Sequence, residues 1–238
     1  MKQFIVIISL ILGLTIASGA DTSKSAAAPK QKKPDPAFAP VTDDPKLPRV
    51  LLIGDSISVG YTLPVRALLQ GKANVHRILE NGGSTSRGLE KLQSWLGDGK
   101  WDVIHFNWGL HDLKYMDDKG KYVTPDQGKQ VAPLPEYESN LRKLVARMKA
   151  TGAKLIWCST TPVPDGSAGR VKDSEVEYNR VAEQVMKDNG VAIDDLHALA
   201  ASRLAEIQQP HNVHFTAEGY KILAQQVAAR IGAALPKR

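Results

Sequence analysis

Arg49-Val50-Leu51-Leu52-Ile53-Gly54-Asp55-Ser56-Ile57-Ser58 joins a run of branched apolar residues to an abrupt Gly-Asp-Ser. An apolar run without polar alternation fits a strand covered on both faces, as parallel sheets require. The small polar residues after it then fall at the carboxyl edge of that sheet, where open α/β sheets place ligands and chemistry. A serine delivered there is a candidate nucleophile, provided a base reaches it.

Similar runs recur at Val75 to Leu79, Val103 to Phe106, Leu155 to Cys158 and Val191 to Ile193. Helical patterns alternate with them. Pro64 to Gln70 places Val65, Leu68 and Leu69 on one stripe, and Leu89, Leu92 and Leu96 form another. Tyr137, Leu141, Leu144, Val145 and Met148 keep the same period. Ser174 and Glu177 read as a capping box ahead of Tyr178, and Tyr220 to Ile231 marks a last helix. Strands alternating with helices predict an α/β fold, a three-layer α/β/α sandwich around a parallel sheet of about five strands. Met116 to Pro135, rich in Asp, Lys, Gly and Pro, reads as a long excursion near the sheet edge that lines a groove.

Upstream, Lys2 precedes an apolar segment from Phe4 to Ile16, and Ser18-Gly19-Ala20 supplies small residues. This predicts a signal peptide over residues 1–20, and hence a secreted or periplasmic protein without stable membrane insertion after cleavage. Residues 21–48, rich in Ala, Lys and Pro, read as a flexible linker, leaving 49–238 as one domain. The formal charge of +6 is modest and partly sits in that linker. No basic block is interleaved with aromatics, so nucleic acid is not an expected partner. Cys158 is the single cysteine, which rules out an intramolecular disulfide and reads as a buried structural thiol.

Six histidines are available as a base. His76 and His105 fall within strand runs, and His197 starts a helical pattern. His214 stands in a loop just ahead of Thr216, a capping residue for the last helix, close to a sheet edge.

Taken together, Gly54-Asp55-Ser56-Ile57-Ser58, Asn81-Gly82-Gly83, Gly109-Leu110-His111-Asp112 and Val213-His214-Phe215-Thr216-Ala217-Glu218-Gly219-Tyr220 follow the block order of the SGNH, or GDSL, hydrolases, which this chain resembles from about residue 49 onward. The resemblance implies a flavodoxin-like sandwich and a serine esterase needing no cofactor or metal. It implies Ser56 as nucleophile and His214 as general base. It further implies an oxyanion hole built from the Ser56 N–H and a block-two glycine, Gly83 being preferred and Gly82 the other alignment.

Two positions depart from that pattern. His111 stands where the family carries an oxyanion-donating Asn, and His211 stands where its triad Asp precedes the histidine. Asp112, Asp195 or a backbone carbonyl are the available substitutes for orienting His214. The expected substrate is a small-molecule or polysaccharide ester, foremost acetyl or another short acyl group on carbohydrate, with Trp95, Trp101 and Trp108 offered as sugar-stacking surface. Three alternatives stay open: a lysophospholipase or thioesterase of the same fold, a catalytically degenerate glycan-binding member, and a metal site drawn from His211, His214, His111 and Asp112.

Overall fold

The computed structural model describes residues 34–237. The expected signal peptide and the first part of the expected linker lie outside them. In chain order the strands are β1 (Arg49–Ile53), β2 (Asn74–Arg77), β3 (Val103–Phe106), β4 (Tyr115–Met116), β5 (Lys129–Gln130), β6 (Lys154–Cys158) and β7 (Ala192–Asp194). Five of them form one parallel sheet in the order β2-β1-β3-β6-β7, the flavodoxin-like winding. Val50 lies between Val75 and Val103 in register, and Ile104 pairs with Leu155. β4 and β5 make a separate antiparallel pair within the 116–135 excursion.

The helices are α1 (Ser56–Leu68), α2 (Thr85–Leu96), α3 (Leu134–Lys149), α4 (Glu175–Asn189), α5 (Leu196–Ser202), α6 (Leu204–Ile207) and α7 (Ala217–Ala234). α1 packs with α7, while α2 packs with α3 and α3 with α4. The two groups bury opposite faces of the sheet, which is why its central strands β1, β3 and β6 are mostly apolar. Leu52, Ile53, Val103 and Ile104 are fully buried, each worth about 1.5–3 kcal/mol in apolar area removed from water. Among the described residues no helix is long and apolar enough to cross a membrane.

Three local expectations need correction. The first helix begins at Ser56, not Pro64. Asp55 caps it by accepting the Ile57 N–H at 2.9 Å, and Pro64 lies inside the helix. The strand expected to reach Leu79 ends at Arg77, and Leu79 is 67% exposed. The capping box does not form. The chain enters α4 through Asp173 at φ 57°, which leaves Ser174 with helical dihedrals (φ −65°, ψ −21°) and a buried Oγ without a partner.

The ordered unit also begins before Arg49. Asp44 and Leu47 carbonyls accept from Asn74 Nδ2 at 2.9 and 3.1 Å, and the Arg77 guanidinium lies 5.0 Å from the Phe38 ring. Residues 34–48, expected as linker, are therefore held against α1 and β2.

Candidate active site

Gly54 to Ser56 turn directly from β1 into α1, so Ser56 occupies the first position of a helix pointing away from the sheet's carboxyl edge. Gly54 permits this turn because a Cβ there would lie 2.9 Å from the Ser58 side chain. At the other end of the chain, Thr216 caps α7 by accepting the Gly219 N–H at 3.0 Å, and His214 sits two residues ahead of it. Gln209 clamps that loop from both sides. Its N–H donates to His214 O at 2.9 Å, and its Nε2 to Phe215 O at 2.9 Å. The packing of α1 on α7 then brings the two termini together. Ser56 Oγ lies 2.8 Å from His214 Nε2 although 158 residues separate them.

Neither Asp112 nor Asp195 orients His214. Asp112 is fully buried and accepts the Thr85 N–H and Oγ1 at 2.8 and 2.6 Å, tying the block-three loop to the start of α2. Asp195 caps α5 and accepts from Ser159 Oγ at 2.9 Å. The orienting group is Asn212, which sequence reasoning passed over. Its Oδ1 lies 2.7 Å from His214 Nδ1 and also accepts the His214 N–H at 3.1 Å. A backbone N–H only donates, so the atom it meets is the amide oxygen, and Nδ1 must then carry the imidazole proton. Asn212 Nδ2 faces Gln209 Oε1 at 3.3 Å, which agrees with that assignment. Nε2 is thereby left as an acceptor for the Ser56 hydroxyl.

His211 explains how Asn212 reaches back. It adopts φ 54°, a left-handed turn uncommon outside glycine, and its Nδ1 donates to Asp165 O at 2.9 Å. The side chain is thus committed to the neighbouring loop instead of to His214.

The block-two glycines are also spent. Gly83, expected to offer its N–H to an oxyanion, has φ 61° and donates that N–H to Asn81 Oδ1 at 2.9 Å. Gly82 donates to Gly54 O at 3.0 Å, and a Cβ there would meet the same oxygen at 2.9 Å, so its role is close approach to β1. Asn81 itself lines the cavity in front of Ser56. Its Oδ1 is taken, and its Nδ2 has no partner among the described residues.

His111 lines the same cavity. Its Nδ1 faces Lys114 Nζ at 3.3 Å. An ammonium has only donors, so Nδ1 accepts and the proton resides on Nε2. Burial pushes this imidazole down to about 4. Asp55 opposes the shift, whereas Lys114, Arg170 and His214 reinforce it. At neutral pH His111 is a neutral donor.

The cavity measures about 430 Å³. Tyr122 from the 116–135 excursion and Arg170 from the loop before α4 complete its wall, with Leu110, Ala168 and Val213 as apolar lining. The tryptophans are elsewhere. Trp108 is buried in the core, while Trp95 and Trp101 line a separate hollow beside β2. The three imidazoles named for a metal line one cavity, but among the described residues no three of His111, His211, His214 and Asp112 bring ligand atoms within 4.8 Å of one another. His211 bonds Asp165, His214 bonds Asn212, and Asp112 bonds Thr85.

Comparison with known proteins follows the same lines. The model of the GDSL-like Lipase/Acylhydrolase family matches residues 52–222. No curated protein matches the chain in sequence. Among solved structures, a lipase/acylhydrolase from Enterococcus faecalis superposes with a TM-score of 0.66 at 19% identity, covering 80% of this chain and 98% of that one. Axe2, an acetylxylan esterase from Geobacillus stearothermophilus, gives 0.63 at 21% identity, with 80% and 97% covered. The acetyl xylan esterase AlAXEase gives 0.62 at 15% identity, with 77% and 99% covered. At such identities the likeness is one of fold.

Proposed function

We propose, from the premise that the chain belongs to the GDSL-like lipase/acylhydrolase family and is an ester-bond hydrolase, that it cleaves acetyl or other short acyl esters on carbohydrate through a Ser56-His214-Asn212 relay. The observation that carries this reading is the unbroken chain from Ser56 Oγ to His214 Nε2 at 2.8 Å and from Nδ1 to Asn212 Oδ1 at 2.7 Å.

In the first step Ser56 Oγ attacks the ester carbonyl carbon while its proton passes to His214 Nε2. The resulting imidazolium is steadied by Asn212 Oδ1, a dipole in place of the full charge of an acid. The carbonyl oxygen gains negative charge next to the Ser56 N–H, at the positive end of α1. Asn81 Nδ2 and His111 Nε2 are the side-chain donors offered to the same oxygen. Such donors act on charge that develops only in the transition state, each worth about 3 kcal/mol. The tetrahedral adduct collapses as His214 protonates the leaving alcohol oxygen. Water then enters, loses a proton to His214, and releases the acid from Ser56.

A short acyl group on a polar alcohol is supported by the lining. Asn81, His111, Tyr122, Ser167, Arg170 and His211 outnumber the apolar lining residues Leu110, Ala168 and Val213. The similarity of fold to acetylxylan esterases points the same way. Export, read from Phe4 to Ile16 and Ser18-Gly19-Ala20, would place the protein where polymeric substrates are met.

Purified protein should hydrolyse p-nitrophenyl acetate and acetylated xylo-oligosaccharides, and p-nitrophenyl palmitate far more slowly. Ser56→Ala should abolish all of it. Equal rates for wild type and Ser56→Ala would overturn the catalytic reading and favour a binding role.

A further inference from the structure

One wall of the Ser56 cavity carries a guanidinium that makes no ion pair with a carboxylate among the described residues. Arg170 lines the cavity and is held in place by two backbone carbonyls. Its Nε donates to Leu110 O at 2.9 Å and its Nη1 to Ala168 O at 3.1 Å. A guanidinium has five N–H donors in a planar fork, so one on Nη1 and two on Nη2 remain unspent. Lys114 lies behind His111, with Nζ 3.3 Å from Nδ1 and 4.9 Å from the Tyr122 ring centre. The Arg170 guanidinium approaches the same ring at 5.9 Å. Neither cation forms an ion pair with a carboxylate among the described residues. Asp55 is the one carboxylate lining the cavity, and one of its oxygens is committed to capping α1.

Lys114 is buried and Arg170 largely so, and burial depresses the guanidinium. Two cations set against one acid leave the pocket favouring an anion. The three Nη donors of Arg170 that remain suffice to meet the two oxygens of a carboxylate. Tyr122, 49% exposed, lines the cavity and has Lys114 and Arg170 over its ring.

We propose that Arg170, backed by Lys114 and Tyr122, forms an anion subsite that holds a carboxylate borne by the ester substrate, so that the preferred substrate is an acylated acidic sugar polymer, of the uronic-acid class. This deepens the reading of Ser56 as an ester-cleaving nucleophile and rests on it for the identity of the substrate. The binding claim stands apart from turnover.

Its test has two arms. In the first, Ser56→Ala protein, which keeps the pocket but lacks the nucleophile, is titrated by calorimetry with oligogalacturonate, its methyl ester and a xylo-oligosaccharide of equal length. The acid should bind at least tenfold more tightly than either neutral oligomer, and Arg170→Gln in the same background should erase the difference. Lys72→Gln, an exposed charge before β2 at the far end of the sheet, controls for general attraction to a basic protein. Equal affinities for acid and neutral ligands overturn the subsite, and so does an equal loss in the Lys72 variant.

In the second arm, kcat/KM is compared for acetylated oligogalacturonate and acetylated xylo-oligosaccharide. A preference of tenfold or more for the acid, shrinking with added salt, is expected. A faster reaction with a short-chain acyl glycerophosphate than with the acetylated uronate would move the anion to a phosphate and overturn the sugar-acid assignment. Ser56-dependent hydrolysis with no acid preference removes the subsite and keeps the esterase. Tighter binding of acid without Ser56-dependent hydrolysis keeps the subsite and removes the esterase.

Discussion

Asn212 Oδ1 lies 2.7 Å from His214 Nδ1 on the side of the imidazole away from Ser56, and accepts the His214 backbone N–H as well. An amide thus fixes the ring orientation and the tautomer. It lacks the full charge that would stabilise the imidazolium formed during attack. The arrangement separates two contributions that an acid supplies together.

Asn212→Ala should lower kcat by about 100-fold, the cost of a misplaced catalytic group, with a smaller change in KM. Asn212→Asp should raise kcat several-fold, since a carboxylate accepts the same N–H and adds charge. It should also move the acid limb of the pH–rate profile upward, because that charge favours protonated His214. A profile left in place, with kcat lowered, would show that Asn212 does not face the imidazole in solution.

His111→Ala should lower kcat by about 100-fold with KM nearly unchanged, as loss of a donor that acts in the transition state. His111→Asn restores an N–H donor and should recover most of the rate. Because burial holds His111 down to about 4, it stays neutral at about pH 6 and above. Wild type and His111→Asn should then share the same acid limb near neutrality. A limb present only in the wild type would assign the titration to His111.

A Cβ at Gly60 would meet the Tyr220 ring at 2.2 Å. The contact lies between α1 and α7, whose first turns carry Ser56 and approach His214. Gly60→Ala should therefore cost about 1–3 kcal/mol of stability through overpacking. It should also depress kcat at temperatures where the variant is fully folded, by spreading the 2.8 Å Ser56–His214 contact. Thermal unfolding and kcat together check this, and full activity in a destabilised variant would deny the link.

His197 Nε2 lies 3.0 Å from buried Glu175 Oε1, and that hydrogen bond raises the imidazole above its usual range against the opposing effect of burial. A raised folded-state value means that the contribution is fully present below the unfolded value, about 6.5. It is lost as pH climbs through the raised folded value. His197→Gln should therefore destabilise the protein more at pH 6 than at pH 8.5 in urea unfolding. An equal penalty at both pH values would exclude a protonated His197.

The central strands were legible because both faces of β1, β3 and β6 are buried, which writes an apolar run into the sequence. Helix starts were less so. Pro64 looks like a first-turn residue, yet Asp55 supplies a stronger cap nine positions earlier, where the apolar stripe has barely begun. Ser56 and His214 could be picked out by block order, but Asn212 could not. Its contact depends on His211 entering a left-handed turn, a backbone event without a marker in side-chain spacing. Gly83 misled for a related reason. Its φ of 61° was foreseeable for glycine, whereas the Asn81 side-chain oxygen that takes its N–H was not. The Arg170 wall is assembled from the excursion after β3 and the loop before α4, segments whose approach no periodicity encodes.

Arg66 has a further consequence for how the molecule behaves among its own copies. β2 is the outermost strand on its side, and the Val75 carbonyl, turned away from β1, accepts from Arg66 Nε at 3.0 Å. The same guanidinium holds the Pro36 and Ala39 carbonyls at 3.5 and 3.3 Å. A border strand with open carbonyls is a template for self-association, and here one cation stoppers it and pins proline-rich chain alongside. Shortening the protein to Arg49 would strip away that chain, leave Arg66 alone on the Val75 carbonyl, and bare the border strand to a second copy.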